Sequence, residues 1–150
     1  MSAFTKSSIF GVLIASFLSG CSTPEPLANL IDGDCTKSQK VLVEKHISDQ
    51  VAALSIEDFK KAYTFAAPSF QSSVSLGDFE LIIKAQYGFL ISNNGVEFAE
   101  CAVADGEIKQ EVTIKGRLQS PKLSYILTVD GEKLGVISAL IAGEDSTLKI

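Results

Sequence analysis

The sequence predicts an α+β fold in which three helices come first and a four-stranded antiparallel meander follows. Two observations carry that prediction. Apolar residues recur every three or four positions from Thr36 to Tyr87, and every second position from Gly95 onward. Capping or turn residues bound each stretch. Helices followed by strands, in a chain of ordinary domain length, argue for segregated layers with the helices packed against the sheet.

The first twenty residues read as an address rather than as structure. Lys6 supplies a positive start, Ile9 to Leu18 an apolar run, and small Ser19 and Gly20 precede Cys21. A run of about ten residues is too short to cross a bilayer core as a helix, which takes roughly 20. Leu18-Ser19-Gly20-Cys21 resembles the lipobox of bacterial lipoproteins. The resemblance implies removal of residues 1–20, a diacylglyceryl thioether on Cys21 and acylation of its new amino group by a chain such as palmitate. Several acyl chains anchor stably where one does not. The expected location is the bacterial cell envelope, facing the periplasm. Ser22, rather than Asp, after the cysteine favours the outer membrane over the inner.

Residues 21–35 are expected to be a tether. Ser22 to Asp34 contains two prolines, a glycine and no helical period. Fully extended, it would reach ~43 Å at about 3.3 Å per residue.

The domain proper is expected over 36–142. Thr36 and Gln39 have the spacing of a capping box, and Val43, Ile47, Val51 and Leu54 then share one helical face, giving a first helix over about 37–53. Ser55 and Asp58 open a second helix with Phe59, Ala62, Tyr63 and Ala66 on its apolar face, stopped by Pro68. Ser75 to Asp78 opens a third, ended by Tyr87-Gly88. Four strands follow. Asp105-Gly106 and Asp130-Gly131 mark hairpins, and Leu123, Tyr125, Leu127 and Val129 share a face of the third strand. The last strand runs from Lys133 to Ile141, and the polar tail, 143–150, is expected to fray.

Composition excludes some functions. The net charge is −5, loss of the address segment removes Lys6 and leaves the chain more acidic, and Arg117 is the single arginine. Nucleic-acid binding wants clustered cations and is not expected. No phosphate-cradling glycine motif occurs. With one His and no Cys-x-x-Cys, neither a metal nor another cofactor is expected. Apart from Cys21, the cysteines are Cys35 and Cys101. An oxidising compartment permits a bridge between them, closing a loop of about 66 residues and stabilising by roughly 4 kcal/mol on a chain-entropy model. The alternative is two buried thiols.

Ala66-Ala67-Pro68 after the second helix and Asp130-Gly131 before the last strand resemble the cystatin-like, nuclear-transport-factor-2-like cone superfamily, which implies a curved sheet wrapping the helices around a pocket. The chain from about residue 40 to 141 also resembles an uncharacterised bacterial domain family. The resemblance rests on Ala62-Tyr63-Thr64-Phe65-Ala66-Ala67-Pro68, Phe79, Tyr87, Val96-Glu97-Phe98, Gln110-Glu111-Val112, Ser124-Tyr125-Ile126-Leu127 and the final strand. It departs at Leu134, where such domains carry Trp. The family has no known function, so the resemblance implies no active site.

Candidate residues follow from polar groups on inward faces. Tyr63, Tyr125 and Gln110 are the possible pocket residues. The rings equally suit core packing, and Gln110 equally suits satisfying backbone groups. Glu100 interrupts the inward alternation, which a bulge turning it outward would explain. His46, the one imidazole, lies beside the apolar face of the first helix and reads as structural before catalytic. The last strand is apolar on both faces, so Ile137, Ala139 and Ile141, with Ile126 next to them, are expected to form an outer patch. That patch would serve a homodimer or an envelope protein partner, unless the tail covers it. The function expected is a non-catalytic binding or interaction module tethered by its lipid. The rival is a small isomerase of the ketosteroid type using Tyr63 or Tyr125, and a purely structural lipoprotein is the third reading.

Overall fold

The computed structural model of the chain describes residues 25–143. The address segment 1–20, the lipidation site Cys21 and the tail from 144 to 150 lie outside the described residues. The architecture is α+β, but the expected three helices on a four-stranded cone-like sheet are corrected to five helices and one five-stranded antiparallel sheet, ordered β1-β2-β3-β4-β5.

The extra strand lies in the stretch expected to be a tether. β1 (Gly33–Asp34) pairs with β2 (Val96–Ala104) through Gly33 opposite Val103 and Asp34 opposite Ala102. Cys35 follows at once, bonded to Cys101 across the same pair of strands, and its N–H donates to the Cys101 carbonyl at 3.0 Å. Two residues have no period to read, so this strand left no pattern in the sequence. The packed chain begins earlier still, at Leu27, which is 8% exposed.

Helix α1 (Lys37–Ser55) begins at the expected box. Gln39 N–H donates to Thr36 Oγ1 at 3.2 Å, and Thr36 N–H donates to Gln39 Oε1 at 2.8 Å. The other end of the same amide donates to the Pro26 carbonyl at 3.0 Å, fixing the entering chain. Val43, Ile47, Val51 and Leu54 are all buried, as their spacing dictates.

The second expected helix divides. Asp58 caps α2 (Phe59–Tyr63), the chain runs extended past Ala66, and Pro68 opens α3 (Pro68–Ser73) rather than closing the element before it. A proline at the first helical position gives up an N–H that has no intrahelical partner anyway. Ser75 caps α4 (Leu76–Gln86), and Tyr87 separates it from one further turn, α5 (Gly88–Ile91).

The helices cover one face of the sheet. Its inner residues include Ile108, Val112 and Ile114 of β3 (Glu107–Ile114) and Leu123, Tyr125 and Leu127 of β4 (Lys122–Asp130), all at most 1% exposed. The outer face is polar, with Lys109–Glu111 and Lys115–Glu97 ion pairs and Ser124 donating to Glu111. This is the ordinary alternation of an antiparallel sheet with one wet face. Asp105 and Gly106 both have positive φ, the geometry of the two-residue turn expected there.

β5 (Lys133–Ile141) explains its own doubly apolar sequence. A bulge interrupts its register with β4, where Ile126 opposes Ser138 but Leu127 opposes Val136, leaving Ile137 as the extra residue. An extra residue reverses which side chains face the core. Val136 faces inward before the bulge, and Ala139 and Ile141 pack against the core after it.

Phe65–Ala67 lies across β5 as a parallel bridge. Val136 N–H donates to the Phe65 carbonyl at 2.9 Å and Ala67 N–H to the Val136 carbonyl at 2.8 Å. Gly135 makes this approach possible, since a Cβ there would sit 2.6 Å from the Ala67 Cα. Gly135→Ala is therefore expected to cost about 1–3 kcal/mol by overpacking. Urea unfolding reads it directly, and an unchanged midpoint would show that the crossing yields.

Candidate functional site

The Phe65–Ala67 crossing holds the helical layer to the first half of β5. Beyond the bulge, α4 and β5 stand apart, joined by the Tyr87 hydroxyl, which donates to the Ala139 carbonyl at 2.8 Å. Between them lies a cleft of about 180 Å³. Leu54, Phe70, Phe79 and Ile83 form its apolar helical wall, and Val136 to Leu140 form the opposite side.

Four side chains of the lining carry polar atoms: Gln50, Tyr87, Tyr125 and Ser138. Among the described residues no Asp, Glu, His, Lys or Arg lines the cleft. Gln50 is 4% exposed, and its Nε2 donates to the Ala62 carbonyl at 3.3 Å. Tyr125 is 1% exposed. Burial pushes its phenol far above the ordinary value, and the neighbouring Tyr87 adds to the shift. The hydroxyl therefore stays protonated and acts as a hydrogen-bond donor.

Of the three pocket residues expected from the sequence, only Tyr125 lines this cleft. Tyr63 packs its ring 5.5 Å from Phe79 and donates its hydroxyl to the Val74 carbonyl at 2.6 Å, tying α2 to the segment before α4. Gln110, fully buried, serves the β2 bulge between Phe98 and Cys101. Its Nε2 reaches the carbonyls of Ala99, Glu100 and Glu111 at 3.4, 3.2 and 2.9 Å. Its Oε1 has no partner among the described residues. Glu100 lies exposed in that bulge.

The four residues expected to form an outer patch separate. Ile137 and Ala139 line the cleft, Ile141 packs against the core, and Ile126 alone remains across from Ser138 on the outer side. The β5 bulge is the physical reason. Gln50, Tyr87 and Ser138 were not anticipated. Gln50 had a signal, since it sits between Ile47 and Leu54 on the buried helical face. Ser138 lies just past the register shift, opposite Ile126. Among the described residues no cluster of three or more His, Cys, Asp or Glu is placed to hold a metal, and no helix is long and apolar enough to cross a membrane.

His46 sits outside the cleft. Its Nε2–H donates to the Phe65 carbonyl at 2.9 Å, and its ring meets Phe65 edge-on with centroids 5.1 Å apart. It thus fastens α1 to the crossing segment.

A family model described as "Domain of unknown function (DUF4864)" matches residues 36–145. No curated protein and no solved structure matches the chain.

Burial lowers the His46 pKa below its ordinary 6.5, against smaller opposing effects of the Phe65 carbonyl and the Asp49 carboxylate. The unfolded chain then binds the proton more tightly than the folded one. Stability is complete above about pH 6.5 and declines as the pH falls below it. The urea midpoint is expected to drop between pH 7.5 and 5.5, and by less in His46→Gln. Equal drops in the two proteins would remove His46 from the account.

Proposed function

The chain belongs to the DUF4864 family of domains of unknown function, and from that premise we propose that it is a lipid-anchored, non-catalytic binding protein of the bacterial cell envelope. The observation that carries the binding half of this reading is the apolar cleft beside β5, with one buried phenol and, among the described residues, no charged lining residue. Ligand sites are concave and mostly apolar, with a few placed polar groups.

The anchoring half rests on Leu18-Ser19-Gly20-Cys21, with Ser22 favouring the outer membrane on the periplasmic side. Because Leu27 is packed into the domain, the six links from Cys21 span at most about 20 Å, far less than a free tether would allow. The cleft would therefore work close to the bilayer, where apolar molecules concentrate.

Isomerase chemistry finds less support. Moving a proton between carbons needs a base beside the polarising phenol. Among the described residues the cleft lining has no carboxylate or imidazole, and His46 is engaged with Phe65.

Two measurements test the two halves. Cys21→Ala is expected to move the protein from the membrane to the soluble fraction, and a variant still sedimenting with membranes would sink the anchor. With that soluble full-length variant, benzene near saturation is expected to raise the melting temperature by a few degrees, as a ligand bound only by the folded state does. No shift would argue against a binding cleft.

A further inference from the structure

The polar atoms of the cleft are few, and they differ in what they can still do. Gln50 Nε2 already serves the Ala62 carbonyl, and the Tyr87 hydroxyl serves Ala139. The Tyr125 hydroxyl keeps its proton, in a lining otherwise built of Leu, Ile, Val, Phe and Ala apart from Gln50, Tyr87 and Ser138. A phenol at the wall of so apolar a cleft favours an occupant that supplies an acceptor.

Charge narrows the class. An anion entering the cleft would lose its hydration with no cation there to replace it, and a cation would find no carboxylate. Lys84, the nearest cation on α4, is held outside by Glu80 at 2.6 Å and lies over the Phe59 ring. Size narrows it further. The volume, about 180 Å³, is close to that of apolar cavities that accept benzene, which are roughly 150 Å³.

We propose that the cleft binds a small uncharged molecule with an apolar body about the size of a six-membered ring and one hydrogen-bond acceptor, such as a ketone, ester or ether oxygen, received by the Tyr125 hydroxyl. The proposal rests on the binding reading above and adds the polar contact and the exclusion of ions. Tyr125 is a recognition residue, and no bond is made or broken.

The test uses the full-length Cys21→Ala protein with three probes of one shape: cyclohexanone, methylenecyclohexane and cyclohexanecarboxylate. Cyclohexanone is expected to bind, and Tyr125→Phe to weaken it by about three- to tenfold, the range of a single neutral hydrogen bond. The same substitution should leave methylenecyclohexane unchanged, and the carboxylate should not bind. Removing this one hydroxyl while keeping the ring should not unfold the domain. A second readout needs no variant: the carbonyl stretch of bound cyclohexanone should move to lower frequency. If the ketone and hydrocarbon respond equally to Tyr125→Phe and the stretch is unshifted, the proposed contact is wrong while the cleft still binds. If neither neutral probe binds, the binding reading itself fails and takes this proposal with it. Carboxylate binding as tight as the ketone would overturn the exclusion of ions.

Discussion

The backbone crossing of Phe65–Ala67 over β5 is the constraint on which the open side of the molecule depends. It joins the helical layer to the strand farthest from the disulfide, at a glycine whose missing Cβ lets two backbones approach closely. It also sets the two flanking elements. The chain cannot continue α2 through an extended bridge, so α2 stops at Tyr63 and α3 starts afresh at Pro68. On the far side of the crossing, β5 has no second strand neighbour among the described residues. The residues beyond the bulge can then line a cleft rather than fill a layer.

That crossing also shows where sequence patterns stop being informative. The capping box at Thr36, the buried stripe of α1 and the turn at Asp105-Gly106 are each settled by neighbours in the chain, and these were legible, as was the α+β class. The pairing of Cys35 with Cys101 was one of two readings the sequence left open, and the structure shows the bond. β1 was not, because two residues paired to an edge have no period. α3 and α5 are single turns whose existence follows from the crossing and from the stop at Tyr87 rather than from an apolar repeat. The doubly apolar β5 was the instructive case. It looked like a strand covered on both sides, and it is a strand that changes sides at Ile137.

The site was legible in part for a similar reason. Tyr63, Gln110 and Tyr125 look alike in the sequence, since each is a polar group on an inward position. Their roles diverge with what lies opposite each one. Val74 offers Tyr63 a carbonyl, the β2 bulge offers Gln110 several, and Tyr125 meets the cleft. Periodicity assigns a side chain to a face, but the partner that completes it comes from another element, often more than ten residues away.

The Cys35–Cys101 bond has a mechanical consequence. All five helices lie between these two residues in the chain, inside the loop that the bond closes. A protein fixed to a membrane at its N-terminus and held elsewhere through its sheet carries tension along its covalent path. That path enters at Cys35, passes through sulfur to Cys101 in β2, and continues into the sheet without traversing any helix. Under such a load the helical wall of the cleft would be shielded, and a pull at the N-terminus would reach the strands before it could strip the helices from them.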